Sequence, residues 1–317
     1  MISLGLIGCG AVVHTNYTRT LIGRDGYRVR YVCDTDPVQA ASAASLFDAE
    51  TVSLDTLVDK AEAIIISTPP STHSSLVRAC LRPGRTILCE KPYMTTYEDA
   101  MEVCDASRAL GAYVYVGHSR RAYPQLELAR EIVALGLIGE VNGFSASEGG
   151  RFTWNAVSGY PIRDPNGGVL WDTGSHTLDM ALFASGLDRC PDLDVQDIRV
   201  DKDKPEPSHD FRAGFKLSVN GQAVDGLVHV SRKEALLNLI RISGSRGQLA
   251  FVTDMDDRVR LTVAAGSTVL RTERSYASPL ECLDLQLRRV LLAHGAQPFA
   301  AENFVGQIKL IEALANA

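Results

Sequence analysis

A glycine-rich turn directly after an apolar strand is the feature that most constrains this chain. Leu4-Gly5-Leu6-Ile7 is typical of a buried strand, and Gly8-Cys9-Gly10-Ala11-Val12-Val13 follows it where a helix is expected to begin. Glycines at such a turn let the backbone approach a pyrophosphate group at the positive end of the helix. We therefore predict a dinucleotide-binding loop formed by Gly8, Gly10, Ala11, Val12 and Val13.

Short β-branched runs alternate with helical stretches through the first third of the chain. The predicted strands are residues 4–7, 29–33, 63–67, 86–89 and 113–116. Such alternation is typical of a parallel sheet covered by helices on both faces. In one connecting stretch, Thr95 is expected to cap a helix and Glu98 to complete a capping box. We predict an α/β fold that starts with a Rossmann domain, a doubly wound parallel sheet, over residues 1–120.

The pattern changes after Pro124. A helix is expected to about Leu135, then a loop over 149–168 and a helix over about 172–183. From 195 to about 270 the apolar residues alternate in period two, with turns at Asn220-Gly221 and at 244–247, as in antiparallel hairpins. Helices are expected at 279–294 and 300–314. Residues 121–317 are thus predicted to form an α+β domain on a large, mostly antiparallel sheet, with the last helix a candidate to pack back on the first domain.

Length, charge and cysteine content exclude several classes of protein. A chain of 317 residues with 45% apolar residues suits two domains. Its apolar runs are too short to cross a bilayer and it starts without a basic signal segment, so the cytoplasm is the expected compartment. Seven cysteines without a C-x-x-C pair indicate neither a disulfide framework nor a zinc site, and no metal is expected. A formal charge of −6 without a basic run argues against nucleic acid as a partner.

Asp34 ends the second predicted strand, at the position from which a carboxylate reaches the adenosine ribose. Its charge would repel a 2′-phosphate, and Thr35 and Asp36 follow instead of a basic residue. This favours NAD over NADP as the cofactor. The alternative is a glycine turn in a domain without nucleotide, with Asp34 merely capping the next helix.

Three further motifs carry a resemblance to a known family. They are Thr68-Pro69-Pro70-Ser71-Thr72-His73, Glu90-Lys91-Pro92, and the segment from Gly167 to Asp179 that contains Asp172-Thr173-Gly174-Ser175-His176. With them the chain resembles the glucose-fructose oxidoreductase, inositol dehydrogenase and MocA family over nearly its whole length. Two positions depart from the family pattern. Val13 is larger than the usual small residue, which predicts a looser helix packing, and Ala122 replaces a frequent aromatic residue.

The resemblance implies an NAD-dependent oxidoreductase acting on a secondary hydroxyl or ketone of a sugar, cyclitol or sugar derivative. It implies that Lys91, Asp172 and His176 gather at the substrate carbon. It also places Thr68, Pro69 and His73 against the nicotinamide ribose, and Glu90 with Lys91 at the cofactor. Residues 121–317 would then bind substrate and mediate assembly into a homodimer or homotetramer.

Hydride transfer from a carbinol requires removal of the hydroxyl proton, which Lys91 or His176 could perform in a cleft between the domains. We expect His176 to move the proton, Lys91 to act electrostatically and Asp172 to bind and orient substrate. Since His176 stands four residues after Asp172, both would face one way on a helix. Taken singly, a lysine before proline is usually solvated and a lone histidine is usually structural. Which of Lys91 and His176 moves the proton stays open.

Arginine and aromatic residues are expected near the mouth of the cleft. We expect Arg121 and Trp154 to bind substrate. One hypothesis is an anionic substrate held by arginine forks, and its candidate residues are Arg120, Arg121, Arg151, Arg163, Trp154 and Tyr160. The alternative is that these arginines are surface charges or pair with the protein's own acidic residues.

Two other functions fit the same motifs. One is an NAD-dependent glycoside hydrolase of the same family. In such an enzyme NAD oxidises the sugar only transiently and is then regenerated, so no NADH accumulates. The other is a non-catalytic regulatory protein that senses a dinucleotide or sugar. A sensor has no need of a proton-transfer group, so the joint presence of Lys91, Asp172 and His176 argues against it.

Overall fold

The computed structural model describes residues 1–151, 159–160, 164, 166–190, 193–204, 207–274, 276, 278–293 and 297–317. These residues form two compact units. The first contains Met1–His118, residues 159–160 and the described part of Leu280–Glu302. The second contains the described residues of Ser119–Trp154, Pro161–Pro279 and Asn303–Ala317.

A parallel sheet of six strands forms the centre of the first unit. Its strands are β1 Ile2–Ile7, β2 Tyr27–Cys33, β3 Glu50–Thr51, β4 Ala63–Ile66, β5 Thr86–Cys89 and β6 Tyr113–Val116. They lie in the order β3-β2-β1-β4-β5-β6, and each pair is parallel, as in doubly wound nucleotide-binding domains. The five predicted strands are present. The sixth, β3, has two exposed residues and is too short to produce a sequence pattern.

The helices of the described chain are α1 Thr18–Leu21, α2 Pro37–Phe47, α3 Leu54–Lys60, α4 His73–Cys80, α5 Tyr97–Leu110, α6 Pro124–Ala134, α7 Ser175–Ser185, α8 Pro279–Leu292 and α9 Val305–Ala315. Two further turns are π-helical, Val13–Tyr17 and Leu170–Gly174. Nearly all of α8 belongs to the first unit, where Gln286 donates a hydrogen bond to the carbonyl of Val116 at 2.8 Å. The last helix, α9, belongs instead to the second unit, so it is α8 that returns to the first domain.

The cap of α5 lies one residue later than the sequence predicts. The N-cap is Thr96 and not Thr95: Thr96 has extended backbone angles, and its Oγ1 accepts the N–H of Asp99 at 3.1 Å. The Asp99 carboxylate also accepts hydrogen bonds from Ser74 and Arg78 of α4. These bonds from a neighbouring helix favour the Thr96–Asp99 pair over the Thr95–Glu98 pair, and no local pattern contains that information.

The second unit is built on a sheet of eight strands. They are β7 Val141–Gly149, β8 Asp194–Lys202, β9 Asp210–Val219, β10 Gln222–Ser231, β11 Leu239–Gly244, β12 Gly247–Val252, β13 Arg258–Val263 and β14 Gly266–Arg271. Their order is β14-β13-β12-β11-β7-β10-β9-β8. Among these strands β7 and β10 pair in parallel and the other pairs are antiparallel, which confirms the mostly antiparallel sheet.

Both predicted hairpin turns are present. At the tip of the β9–β10 hairpin, Asn220 and Gly221 have φ angles of 50° and 79°, as a turn of the type I′ kind requires. Gly244 pairs with Gly247 across the β11–β12 turn. Side chains on one face of the sheet, such as Phe144, Val230, Ile240 and Ile242, are buried. The residues between them along the strands are more exposed, as the period of two predicts.

Candidate active site

The predicted cofactor residues of the first unit follow the carboxyl ends of its parallel strands. Gly8 follows β1, Asp34 follows β2, Thr68 and Pro69 lie two and three residues beyond β4, and Glu90 follows β5. Carboxyl ends of parallel strands meet at one edge of the sheet, where open α/β sheets bind their ligands. The predicted residues are therefore brought to the same edge.

The glycine loop has one glycine required by packing and one that faces open space. Gly8 has φ +86°, and a Cβ there would lie 2.8 Å from the backbone of Ser67 and Thr68. A Cβ on Gly10 would meet no atom within 4 Å. This opening at the start of a helix fits the pyrophosphate of a dinucleotide, which needs close approach to backbone N–H groups.

Val13 is accommodated by a change in the helix. It is completely buried and begins the π-helical turn Val13–Tyr17, a wider turn than that of an α-helix. The turn also carries the Tyr17 hydroxyl to Glu90, to which it donates a hydrogen bond of 2.6 Å. Val13 thus stands where the loop passes into an irregular helix, a feature that the motif does not predict.

The Asp34 carboxylate fixes the glycine loop. Its Oδ2 accepts the N–H of Cys9 at 2.6 Å, and its Oδ1 accepts the N–H of Asp36 at 2.8 Å. Each carboxylate oxygen has a second lone pair, so a ribose hydroxyl can still donate to it. Asp34 therefore joins the loop after β1 to the loop after β2 at the predicted cofactor edge.

Glu90 is held from three sides. Oε1 accepts the Tyr17 hydroxyl, and Oε2 accepts the N–H of Lys91 at 3.1 Å. A Cβ on Gly117 would lie 2.9 Å from the carboxyl carbon of Glu90, so a larger residue at this position would displace the Glu90 carboxylate. Burial raises the pKa of Glu90, and the bonds from Tyr17 and Lys91 oppose that shift. Tyr17 and Gly117 are supporting residues that the sequence motifs do not reveal.

The ring of His73, which the resemblance places against the nicotinamide ribose, is enclosed by carbonyl groups of the protein. It is fully buried, with Nε2 2.9 Å from the carbonyl oxygen of Thr68. Its Nδ1 lies 3.0 and 3.1 Å from the carbonyl oxygens of Pro92 and Tyr93. Burial lowers its pKa, and the three carbonyl contacts oppose the shift. The ring joins the Thr68 loop to the segment after Lys91, so it shapes the site from inside the protein.

In the second unit, Asp172 and His176 lie four residues apart where a π-helical turn passes into α7. Both side chains are partly exposed. Arg232, directly after β10, donates from Nη2 to Asp172 Oδ2 at 2.8 Å. Ser175 donates to the carbonyl of Asp172 at 2.9 Å and has its own carbonyl bonded by Gln307 of α9. The predicted pair is therefore placed on one rigid segment, with Arg232 as an unforeseen neighbour. Lys91 belongs to the other unit.

Arg121 is part of the interior, which contradicts the prediction that it binds substrate. Its side chain has no exposed surface. The guanidinium bonds both oxygens of Asp179, with an Nη2–Oδ1 distance of 2.6 Å, and lies 3.1 Å from Asp188. Its Cζ also stacks 3.7 Å from the ring centre of Phe304. Arg121 thus pairs with the protein's own acidic residues, as the alternative interpretation of these arginines predicts.

The other residues advanced for an anionic substrate receive little support. Arg120 bonds both oxygens of Glu148 at 2.8 and 2.9 Å. Arg151 is exposed and Tyr160 is half-buried. Trp154 and Arg163 lie outside the described residues.

One cluster in the described residues has the composition of a metal site. Asp210, His229 and Glu234 place possible ligand atoms within 4.8 Å of one another. Arg212 lies among them, with Nε 3.0 Å from His229 Nε2 and Nη2 3.6 Å from Glu234. The guanidinium already supplies the positive charge that balances these carboxylates.

Comparisons with known proteins agree with the first unit's architecture. A family model described as "Oxidoreductase family, NAD-binding Rossmann fold" matches residues 2–118. Inositol 2-dehydrogenase 2 of Saccharopolyspora erythraea is 32% identical over 190 residues, which cover 58% of this chain and 54% of that protein. The alignment thus spans about half the length of this curated relative. None of the helices in the described part of the chain has the length and apolar character that crossing a bilayer requires.

Solved structures resemble the fold of the whole chain. An inositol dehydrogenase homologue complexed with NAD⁺ from Azotobacter vinelandii has a TM-score of 0.80 at 18% identity, covering 99% of this chain and 94% of that one. A 3-ketoreductase from Actinomadura kijaniata in complex with NADP and TDP-benzene has a TM-score of 0.75 at 19% identity, covering 99% and 97%. These structures share the fold of the chain, and the match of residues 2–118 to the family model confirms the resemblance to the glucose-fructose oxidoreductase, inositol dehydrogenase and MocA family.

Proposed function

We propose that the chain is an NAD(H)-dependent oxidoreductase that transfers a hydride between nicotinamide and a secondary hydroxyl or ketone of a cyclitol, sugar or sugar derivative. The observation that carries the proposal is the edge of the six-stranded sheet, where the open Gly10 turn, Asp34 and Lys91 follow adjacent or near-adjacent strands. The inositol dehydrogenase relative supports a cyclitol as the first substrate to test.

A bound nicotinamide would supply the hydride donor or acceptor, so the residues of the chain have to bind the substrate and move one proton. Asp172, bonded to Arg232, is a hydrogen-bond acceptor suited to a substrate hydroxyl. His176 follows at helical spacing and takes the proton of the reacting hydroxyl as the hydride leaves, since an imidazole nitrogen can both accept and return a proton. The ammonium group of Lys91 stabilises the negative charge that develops on the substrate oxygen.

The direct test is a screen of polyols, sugars and keto-sugars with NAD and NADH, followed by the absorbance of the reduced nicotinamide. The proposal expects at least one cyclitol or sugar to change this absorbance in a substrate-dependent way. Cleavage of a glycoside without net reduction of NAD would favour the hydrolase. Binding of NAD without turnover of any compound would favour the sensor.

We propose NAD rather than NADP as the preferred cofactor, because Asp34 would repel a 2′-phosphate. Asp34→Asn keeps an acceptor oxygen for the glycine loop but removes the charge. We expect the ratio of NADP to NAD affinity, measured by calorimetry, to rise about tenfold or more. Glu62→Gln is the matched control, because Glu62 is also a carboxylate that accepts a backbone N–H, that of Ser3, but it precedes β4 and so lies at the opposite edge of the sheet. An unchanged ratio in Asp34→Asn would remove Asp34 as the discriminating residue.

We further propose that the outer face of the eight-stranded sheet assembles the chain into a homodimer or homotetramer. Leu227 of β10 is 59% exposed on this face, and it pairs in register with Gly214 and Ser145. These residues line a shallow cavity of about 460 Å³ that a partner surface could fill. We expect Leu227→Lys to reduce the mass measured by light scattering after size exclusion. Leu110→Lys, at an exposed leucine that ends α5, should leave it unchanged, and a monomeric wild type would contradict the proposal.

A further inference from the structure

Arg232 is a buried cation that bonds the proposed substrate-binding carboxylate, that of Asp172. It follows the last residue of β10, and its side chain is 3% exposed while that of Asp172 is 24% exposed. A single nitrogen, Nη2, donates to Asp172 Oδ2 at 2.8 Å and to the carbonyl oxygen of Gly168 at 3.1 Å. Arg232 thus spans the first turn of the segment that carries Asp172.

Both ends of this contact are fixed by the backbone. The N–H of Arg232 donates to the carbonyl of His209 at 2.7 Å. Gly168 has φ +76°, and a Cβ there would lie 3.0 Å from Pro207 Cβ. The next residue, Val169, donates its N–H to the carbonyl of Ser208 at 2.8 Å. The guanidinium therefore connects two anchored segments and leaves Asp172 little freedom to rotate.

We infer that Arg232 is a positioning residue that holds Asp172 as an ionised acceptor aimed at a substrate hydroxyl. The inference rests on the proposed function and extends it to the substrate class. A carboxylate bonded to a guanidinium stays charged at neutral pH, and a charged carboxylate can only accept hydrogen bonds. It selects a neutral hydroxyl donor and repels phosphate. The site is thereby matched to a neutral polyol and not to an anionic sugar phosphate.

The arrangement of the other arginines agrees with a neutral substrate. Arg120 and Arg121, which could have bound an anion, are both committed to carboxylates of the protein. Arg232 itself faces Asp172, so its charge is also balanced. Of the arginines advanced for anion binding, the exposed one in the described residues is Arg151.

A double-mutant cycle tests whether Arg232 acts through Asp172. The variants are Arg232→Met, Asp172→Asn and the double variant, each assayed for kcat/KM with the best neutral polyol and for NAD affinity. We expect Arg232→Met to lower kcat/KM about tenfold or more in the wild-type background but less than about threefold in Asp172→Asn. Arg232→Lys, which keeps the charge, should recover part of the loss. NAD affinity should stay unchanged throughout.

Arg246→Met is the matched control, because Arg246 also bonds a main-chain carbonyl, that of Gly136, but lies in the exposed β11–β12 turn. It should retain wild-type kcat/KM. Equal fold-losses from Arg232→Met in both backgrounds would overturn the inference, because Arg232 would then act independently of Asp172. Preference of the wild type for a phosphorylated polyol over the free one would also overturn it.

The same cycle measured by urea unfolding needs no substrate. The midpoint shift of the double variant should be smaller than the sum of the two single shifts, since each change breaks the same ion pair. Additive shifts would mean that the pair is absent in solution and would refute the inference whatever the activity. A wild type without turnover contradicts the proposed function alone, and the urea cycle then decides on the pair by itself.

Discussion

We expect the change of His176 to alanine to lower kcat with a polyol substrate by about 10²- to 10⁴-fold, the usual contribution of a positioned general acid or base. The reason is that the hydroxyl proton then has to leave without an imidazole to receive it. His176 lies on the first turn of α7 in the second unit, whereas the glycine loop and Asp34 belong to the first unit, so we expect the affinity for NAD to stay within about twofold of wild type. Steady-state kinetics and calorimetry measure the two quantities.

Lys91→Met tests the electrostatic role proposed for Lys91, because it removes the ammonium group. We expect a loss of kcat comparable to that of His176→Ala. Lys60→Met is its matched control, because the Lys60 ammonium lies 3.9 Å from Glu50 on an exposed surface. His229→Ala controls for the loss of a histidine, since His229 contacts Asp210 and Arg212 on the sheet of the second unit. A His176→Ala enzyme with more than about a third of wild-type kcat would exclude His176 as the proton-transfer group.

The second large effect concerns stability. Arg121→Met should lower the free energy of unfolding by about 3–5 kcal/mol, as removal of one partner from a buried ion pair does. The change leaves Asp179 and Asp188 buried without their shared guanidinium, although Arg130 still contacts Asp188 at 2.8 Å. Urea unfolding followed by circular dichroism measures the loss.

Arg78→Met is the matched control, since Arg78 also bonds two carboxylates but on an exposed helix surface. It should cost no more than about 1 kcal/mol. Burial raises the pKa of Asp179, and Arg121 opposes this shift. In Arg121→Met the pKa of Asp179 in the folded state therefore rises further above its value in the unfolded state. The resulting loss of stability is fully present above the folded-state pKa and shrinks as the pH falls through it. Equal losses in the two variants would show that Arg121 is not a buried anchor.

The motifs predicted those parts of the site that follow strand ends. Gly8, Asp34, Thr68 and Lys91 each stand within two residues of the end of a buried apolar run, so the order of parallel strands brings their segments to one edge. The same local logic placed Asp172 and His176 at helical spacing. Gly8 and Asp34 needed only the residue pattern within one βα unit, whereas Thr68, Lys91, Asp172 and His176 were singled out by the resemblance to the family.

The supporting contacts could not be predicted because they join distant positions. Arg232 meets Asp172 across 60 residues, and Tyr17 meets Glu90 across 73. An arginine after a strand or a tyrosine in a helix has many structural uses, and the sequence does not identify its partner. Arg121 shows the same limit. Its partner Asp179 lies 58 residues away, so the sequence did not distinguish an arginine of an interior ion pair from one that binds substrate.

The parallel β7–β10 pair and the π-helical turns were not predicted from the sequence, for related reasons. Parallel pairing is decided by the whole sheet order, with β7 inserted between β10 and β11. A π-helical turn changes the helix by one residue, which a short apolar pattern does not resolve. The two π-helical turns contain the predicted site residues Val13 and Asp172, and local irregularity of this kind is common in functional sites.

Direct hydride transfer is the central claim, and isotopic labelling tests it most directly. A cyclitol deuterated at its carbinol carbons is incubated with the wild-type protein and NAD, and the cofactor is analysed by mass spectrometry. The proposed function predicts reduced cofactor that carries one deuterium per molecule, with the corresponding ketone as product. Reduced cofactor without deuterium, or no reduced cofactor with any polyol or sugar, would contradict it.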